Sequence, residues 1–86
     1  MTKITTPTGF ECEIDKSIIE DDWEYVEALD AVMSGTPGAM VRLAKTLLSA
    51  DDYKALKKHC KKDGRTSSAQ MQDELIEIVK AASKNS

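Results

Sequence analysis

The sequence predicts a mainly α fold, a small bundle of about four helices with a short N-terminal β-hairpin or strand in front of them. Three observations carry this expectation. Residues 1–15 end in an alternating apolar and polar run; residues 16–83 place apolar side chains mostly at helical spacing; and glycine and proline fall between the periodic stretches. The 86 residues form one domain, with 1–15 as the β-element, 16–83 helical and 84–86 a polar tail.

Element by element, Phe10, Cys12 and Ile14 fall on one side of a strand and Glu11 and Glu13 on the other, with a turn over Pro7-Thr8-Gly9. A lone hairpin is marginal in water, so this one must lie on something apolar. From Asp21 or Asp22 the period becomes helical, and Trp23, Val26, Leu29, Val32 and Met33 are expected on one buried stripe. Gly35 ends that helix, and Thr36-Pro37 reads as an N-cap followed by proline at the first helical position. The next helix, 37–48, carries Ala39, Met40, Val41, Leu43, Ala44, Leu47 and Leu48 around more than half its circumference, which makes it the candidate central helix. Ser49 with Asp52 reads as a capping box for a third helix, which Asp63-Gly64 terminates. A last helix starts near Ser67 or Ser68 and carries Met71, Leu75, Ile76, Ile78, Val79 and Ala82.

A chain of this length has a marginal core, so self-association would stabilise it. With 41% hydrophobic and 31% charged residues it has the composition of a folded soluble protein. No apolar run reaches the roughly 18 residues of a membrane span, and residues 1–7 lack the apolar centre of a signal peptide, so a cytoplasmic protein is expected. Cys12 and Cys60 are the two cysteines; they fall short of a disulfide framework or a four-ligand zinc site and read as reduced, structural thiols. Charge is segregated. Residues 1–30 hold nine acids against Lys3 and Lys16, a balance of −7, whereas residues 42–65 hold eight bases against three acids, a balance of +5. Such a chain can attract copies of itself, or meet two differently charged partners.

The stretch 49–65 concentrates five lysines, a histidine and a cysteine. On a helical wheel Tyr53, Leu56 and Cys60 form the apolar seam, while Lys54, Lys57, Lys58, Lys61 and Lys62 lie on the far side. This is the pattern of a solvated face, or of a basic face that meets an acidic partner. Base-edge readout would favour arginine, asparagine or glutamine, and single-strand binding would need aromatics beside the lysines; Tyr53 and Trp23 are instead expected in the core. A protein partner is therefore preferred over nucleic acid. His59 and Cys60 are adjacent and point about 100° apart, with no second ligand a turn away, so no metal is expected. With one histidine, no phosphate-cradling loop and acids scattered over exposed helix faces, the chain is expected to be neither an enzyme nor a cofactor-binding protein.

The chain as a whole carries a recognisable pattern. Thr8-Gly9-Phe10-Glu11-Cys12-Glu13-Ile14-Asp15 is followed by Asp21-Asp22-Trp23-Glu24 leading a helix, the turn Gly35-Thr36-Pro37-Gly38-Ala39, and Leu43-Ala44-Lys45-Thr46-Leu47-Leu48. Then come Asp51-Asp52-Tyr53-Lys54-Ala55-Leu56-Lys57, Asp63-Gly64-Arg65 and an amphipathic segment closing on Lys84-Asn85-Ser86. This resembles the tail assembly chaperones of long-tailed, siphovirus-type bacteriophages and prophages, over nearly the whole length and through a diffuse pattern.

The resemblance implies a small helical protein of the bacterial host cytoplasm, absent from the mature virion. It would bind the tape measure protein, keep it soluble while the tail tube assembles, self-associate, and have no catalytic residues. In many such phages a ribosomal frameshift near the gene's end yields a longer product. The chain would then correspond to the short form, and a frameshifted form of itself would be a further partner. Candidate partner-binding residues are Lys54, Lys57, Lys58 and Lys61 on the basic face, with Met40 and Met71 as adaptable apolar contacts. Each methionine would also fit as core filling. Two other readings stand beside this one: a small nucleic-acid-associated or regulatory protein using the basic helix face, and a non-catalytic adaptor subunit of a larger complex.

Overall fold

Alternation at the N-terminus does produce a hairpin. In the computed structural model, which describes residues 1–84, strand β1 (Thr2–Thr5) pairs antiparallel with β2 (Glu11–Ile14), with Ile4 opposite Cys12. The loop closes through Thr6 N–H to the Phe10 carbonyl and Gly9 N–H to the Thr6 carbonyl, both 2.9 Å. Ile4, Phe10, Cys12 and Ile14 are buried, and Lys3 and Glu11 pair at 3.3 Å on the wet face. Of the polar tail expected at 84–86, Lys84 is exposed; Asn85 and Ser86 lie outside the described residues.

Five helices follow among the described residues, so the fold is mainly α with a short N-terminal hairpin, as the sequence predicts. The first helix was not legible as a separate element. Asp15 caps α1 (Lys16–Asp21), accepting from both Ser17 N–H and Ser17 Oγ–H, bonds that also lower its pKa. Asp22 then ends α1 and caps α2 (Trp23–Met33), with its carboxylate 2.8 Å from Glu24 N–H.

Helix α2 buries a different face from the one expected. Tyr25 and Ala28 are buried and Leu29 and Val32 half-buried, whereas Trp23 is 71% and Met33 82% exposed. Eight of its eleven residues are apolar, so apolar spacing does not choose the face. Its acids do: at about 100° per residue, Glu24, Glu27 and Asp30 centre on a direction opposite Tyr25 and Leu29, and Trp23 falls on their side. Arg42 of α3 meets the exposed acids, reaching Glu24 at 3.4 Å and Glu27 at 3.7 Å.

Gly35 ends α2 as expected. At φ 73° it allows Thr36 N–H to reach the Ala31 carbonyl and its own N–H to reach that of Val32. Thr36-Pro37 is not a helix start, however. Ala39 N–H returns to the Thr36 carbonyl and Gly38 takes φ 79°, a tight turn with proline and glycine at its centre. Helix α3 (Ala39–Leu47) therefore begins two residues later, with no side-chain cap. Ala39, Leu43, Ala44, Leu47 and the following Leu48 are buried, which makes α3 central; Val41 is half exposed and stands out of the expected set.

Ser49 caps α4 (Ala50–His59) through the 3.1 Å bond from Asp52 N–H. Half of the expected capping box is missing, because Asp52 turns its carboxylate to Glu13 N–H at 3.0 Å. Leu56 and Cys60 are buried and the five lysines exposed, as the wheel predicts. Contrary to expectation, Asp63-Gly64 does not end that helix. Helix α4 ends at His59, and β3 (Lys61–Lys62) pairs with β4 (Arg65–Thr66) across Asp63 at φ 52° and Gly64 at φ 82°. Asp-Gly with both φ values positive is the preferred two-residue hairpin turn. Ser67 then caps α5 (Ser68–Ser83), which buries Glu74, Leu75, Ile78 and Ala82 and leaves Ile76 half exposed. Ile14, Leu56, Cys60, Leu75 and Ile78 are the largest of the fully buried side chains and belong to one core cluster.

Candidate binding groove

Helices α3, α4 and α5 leave an apolar groove of about 200 Å³ between them. Ala44 and Leu75, both buried, form its floor, and the small Ala44 side chain gives it depth. Met40, Tyr53 and Met71, each half-buried, line its walls, with Val41 at the lip. Lys57 and Thr66 edge it on the α4 side, and the Lys57 ammonium lies 5.3 Å from the centroid of the Tyr53 ring, one helical turn away.

A shallow depression of about 460 Å³ adjoins it, lined by Lys54, Lys57, Lys58, Lys61 and Thr66. Lys57 and Thr66 belong to both, and Thr66 Oγ–H reaches the Lys57 carbonyl at 3.4 Å. The four lysines and two methionines singled out in the sequence therefore share one continuous surface, joined at Lys57. Among the described residues none of these lysines lies within 4 Å of a carboxylate, so their charge faces solvent uncompensated. Met33 does not join Met40 and Met71; it projects from the far end of α2.

The groove is smaller than the roughly 300–1,000 Å³ of a small-molecule pocket. It suits instead one or two large side chains presented by a helix, in the manner of helix-in-groove recognition. The lysines would hold carboxylates flanking those anchors and contribute chiefly orientation and encounter rate.

A second polar centre was not legible in the sequence. Glu74, expected among acids on exposed faces, is only 5% exposed. Its Oε1 accepts from Thr6 Oγ–H at 2.7 Å and its Oε2 from Thr8 Oγ–H at 2.9 Å, while Thr6 Oγ accepts from Phe10 N–H. Thr8 has one hydroxyl proton, which goes to Glu74, so the 2.9 Å contact with His59 Nε2 places the donor hydrogen on the imidazole. The His59 ring also tilts against Phe10, with centroids 5.4 Å apart. Glu74 thus fastens the hairpin loop to α5 and, through Thr8, to the end of α4. One sequence signal could have found it: Glu74 falls on the stripe of Met71, Leu75, Ile78 and Ala82, where a charge needs partners.

His59 and Cys60 diverge, the imidazole toward Thr8 and the thiol into the core, and among the described residues no three His, Cys, Asp or Glu side chains cluster as metal ligands. Both cysteines are free and buried. Burial, assisted by Asp52, pushes the Cys12 thiol up to about 11, and burial with Glu74 raises that of Cys60, so both are poor nucleophiles near neutral pH. Among the described residues no helix is long and apolar enough to cross a membrane. Compared with models of known protein families, with curated proteins and with solved structures, the chain matches none.

Proposed function

We propose that this protein is a tail assembly chaperone of a long-tailed bacteriophage or prophage, acting in the bacterial host cytoplasm and absent from the mature virion. It holds amphipathic helical segments of the tape measure protein and keeps them soluble while the tail tube is built, without catalysis and without a cofactor. The sequence resemblance supports the reading over nearly the whole chain. The observation that carries it is the groove of Met40, Tyr53 and Met71 bordered by Lys54, Lys57, Lys58 and Lys61. Unbranched methionines repack around different side chains, which suits a client that offers many related helical segments rather than one fixed epitope.

The test is co-expression with the tape measure protein of the same phage, reading the soluble fraction of the client. The native chain should raise that fraction. Val41→Glu at the lip and Lys57→Glu at the junction should abolish the effect while leaving the thermal melt in place. A client that stays insoluble with the native chain, or stays soluble with both variants, sinks the reading.

A second reading has one observation in its favour, the four lysines around one depression, which have no ion pair among the described residues. It makes the chain a nucleic-acid-associated protein. It expects binding to duplex or single strand that falls steeply as salt rises, through release of condensed counterions. No binding at low salt removes it.

A further inference from the structure

Helix α2 carries a second apolar stripe that the core leaves uncovered. Trp23, Val26 and Met33 are 71%, 47% and 82% exposed, and with Asp30 they fall within an arc of about 80° at helical spacing. At a rise of about 1.5 Å per residue the stripe is about 15 Å long, with Trp23 and Val26 at one end, Met33 at the other and Asp30 between them. Single exposed apolar side chains are ordinary on a protein surface, but three on one helix face, a tryptophan among them, mark an interface. None of the three lines the groove of Met40, Tyr53 and Met71, so the stripe is a separate surface.

The charge on the stripe selects what covers it. Asp30 sits in the middle of the seam with no ion pair among the described residues, and exposed Glu20 and Asp21, just ahead of Trp23, likewise have none. Covering that carboxylate with an apolar surface would strand a charge, so the partner must bring a cation to it. The α2 face of a second copy would set acids against acids, and an anionic lipid surface is repelled for the same reason. A seam with apolar ends and a carboxylate at its centre is matched by a helix laid alongside α2, whose side chains recur at the same three- and four-residue spacing. We propose that the outer face of α2 docks an amphipathic helix of a second protein, whose apolar side chains cover Trp23, Val26 and Met33 while a lysine or arginine at the centre of its seam pairs with Asp30. Basic residues flanking that seam meet Glu20 and Asp21, which orients the helix and speeds encounter. Where the lysine-edged groove selects acidic flanks, the stripe selects basic ones.

Fluorescence titration with a synthetic peptide tests it, because Trp23 is the chain's single tryptophan. The probe is an amidated helix of about 20 residues with a leucine seam interrupted by one central arginine, lysine and glutamine on its other face, and no tryptophan. Added to the native chain, it should give a saturable blue shift of Trp23 emission whose midpoint rises with salt, and the same residues in scrambled order should give none. Asp30→Lys should weaken binding by about tenfold or more, and should regain it with a peptide carrying glutamate in place of the seam arginine. Met33→Glu should weaken binding to a similar extent. Both positions are exposed, so thermal melts should stay in place; if Asp30→Lys fails to fold, Met33→Glu decides alone. Lys57→Glu, at the groove, should leave the blue shift intact. An emission already that of a buried indole in the free chain, no saturable shift, an equal response to the scrambled peptide, variants of the stripe that bind as the native chain does, or a shift lost with Lys57→Glu overturns the inference. Stripe and groove share no residue, so its failure would leave the proposed function standing.

Discussion

Thr6 and Glu74, 68 positions apart in the chain, meet through a 2.7 Å hydrogen bond inside the protein. The bond ties the hairpin loop to the last helix, and Thr6 simultaneously accepts from Phe10 N–H. Thr6→Val keeps the shape, removes one donor from a buried carboxylate and strands an amide. We expect it to cost roughly 1–3 kcal/mol in urea unfolding. Glu74→Gln should cost less, because the amide oxygen still accepts from Thr6 and the amide N–H can donate to Thr8 once that hydroxyl turns toward Thr6 Oγ, 3.2 Å away. The reverse order would show that the carboxylate charge, not its hydrogen-bond geometry, holds the loop.

Leu47 and Lys58 probe the core and the wet face. Leu47→Ala opens a cavity under central α3 and should lower stability by about 2–5 kcal/mol. Lys58→Glu changes an exposed side chain and should stay within about 0.5 kcal/mol. Thermal melts in the opposite order would overturn the placement of α3 at the centre.

The Asp63-Gly64 turn makes a backbone prediction. A Cβ at Gly64 would meet no atom within 4 Å, so the cost of Gly64→Ala comes from φ 82° alone, about 1–2 kcal/mol. Asp63→Asn should be nearly neutral, since asparagine accepts the left-handed conformation readily. An alanine variant as stable as the native chain would exclude this turn.

Stability should fall at alkaline pH. The Cys12 thiol is raised to about 11 and that of Cys60 is also raised, both chiefly by burial, as is the Tyr25 phenol. From the ordinary cysteine value of 9.0 upward, the unfolded chain loses thiol protons that the folded chain keeps. The unfolded state then binds fewer protons and the free energy of unfolding declines with pH, for Cys12 until about 11. Urea midpoints at pH 8 and pH 10.5 should show the decline, and Cys12→Ala should flatten it. A decline as steep in that variant would assign the effect to other groups.

What the sequence could convey depended on how far each decision was local. Phe10, Cys12 and Ile14 alternate on a strand with one wet face, so their inward side followed from period two. The lysines of α4 separated from Leu56 and Cys60 for the same reason, in a helix with a narrow apolar seam. Helix α2 has apolar residues almost all round, and its buried face was settled by the packing of Tyr25 and Ala28 into a core built by other elements; only its acids hinted at the answer. Glu74 owes its burial to two threonines at the other end of the chain. The groove is likewise a product of packing. Met40 and Met71 could be named from their chemistry, but their placement around Ala44 required three helices to come together.

The bond from Glu13 N–H to the Asp52 carboxylate has a consequence for the hairpin's outer rim. In a two-stranded ribbon every other amide of each strand points away from its partner, and such a row invites a further strand to add. On β2 the outward amide of Glu13 is already satisfied by the first turn of α4, and the carboxylate that satisfies it would repel the carbonyl oxygens of an incoming backbone. Asp52 thereby serves as a gatekeeper against sheet extension. One aspartate thus covers the β2 rim of the hairpin at Glu13 and keeps a second backbone from pairing there.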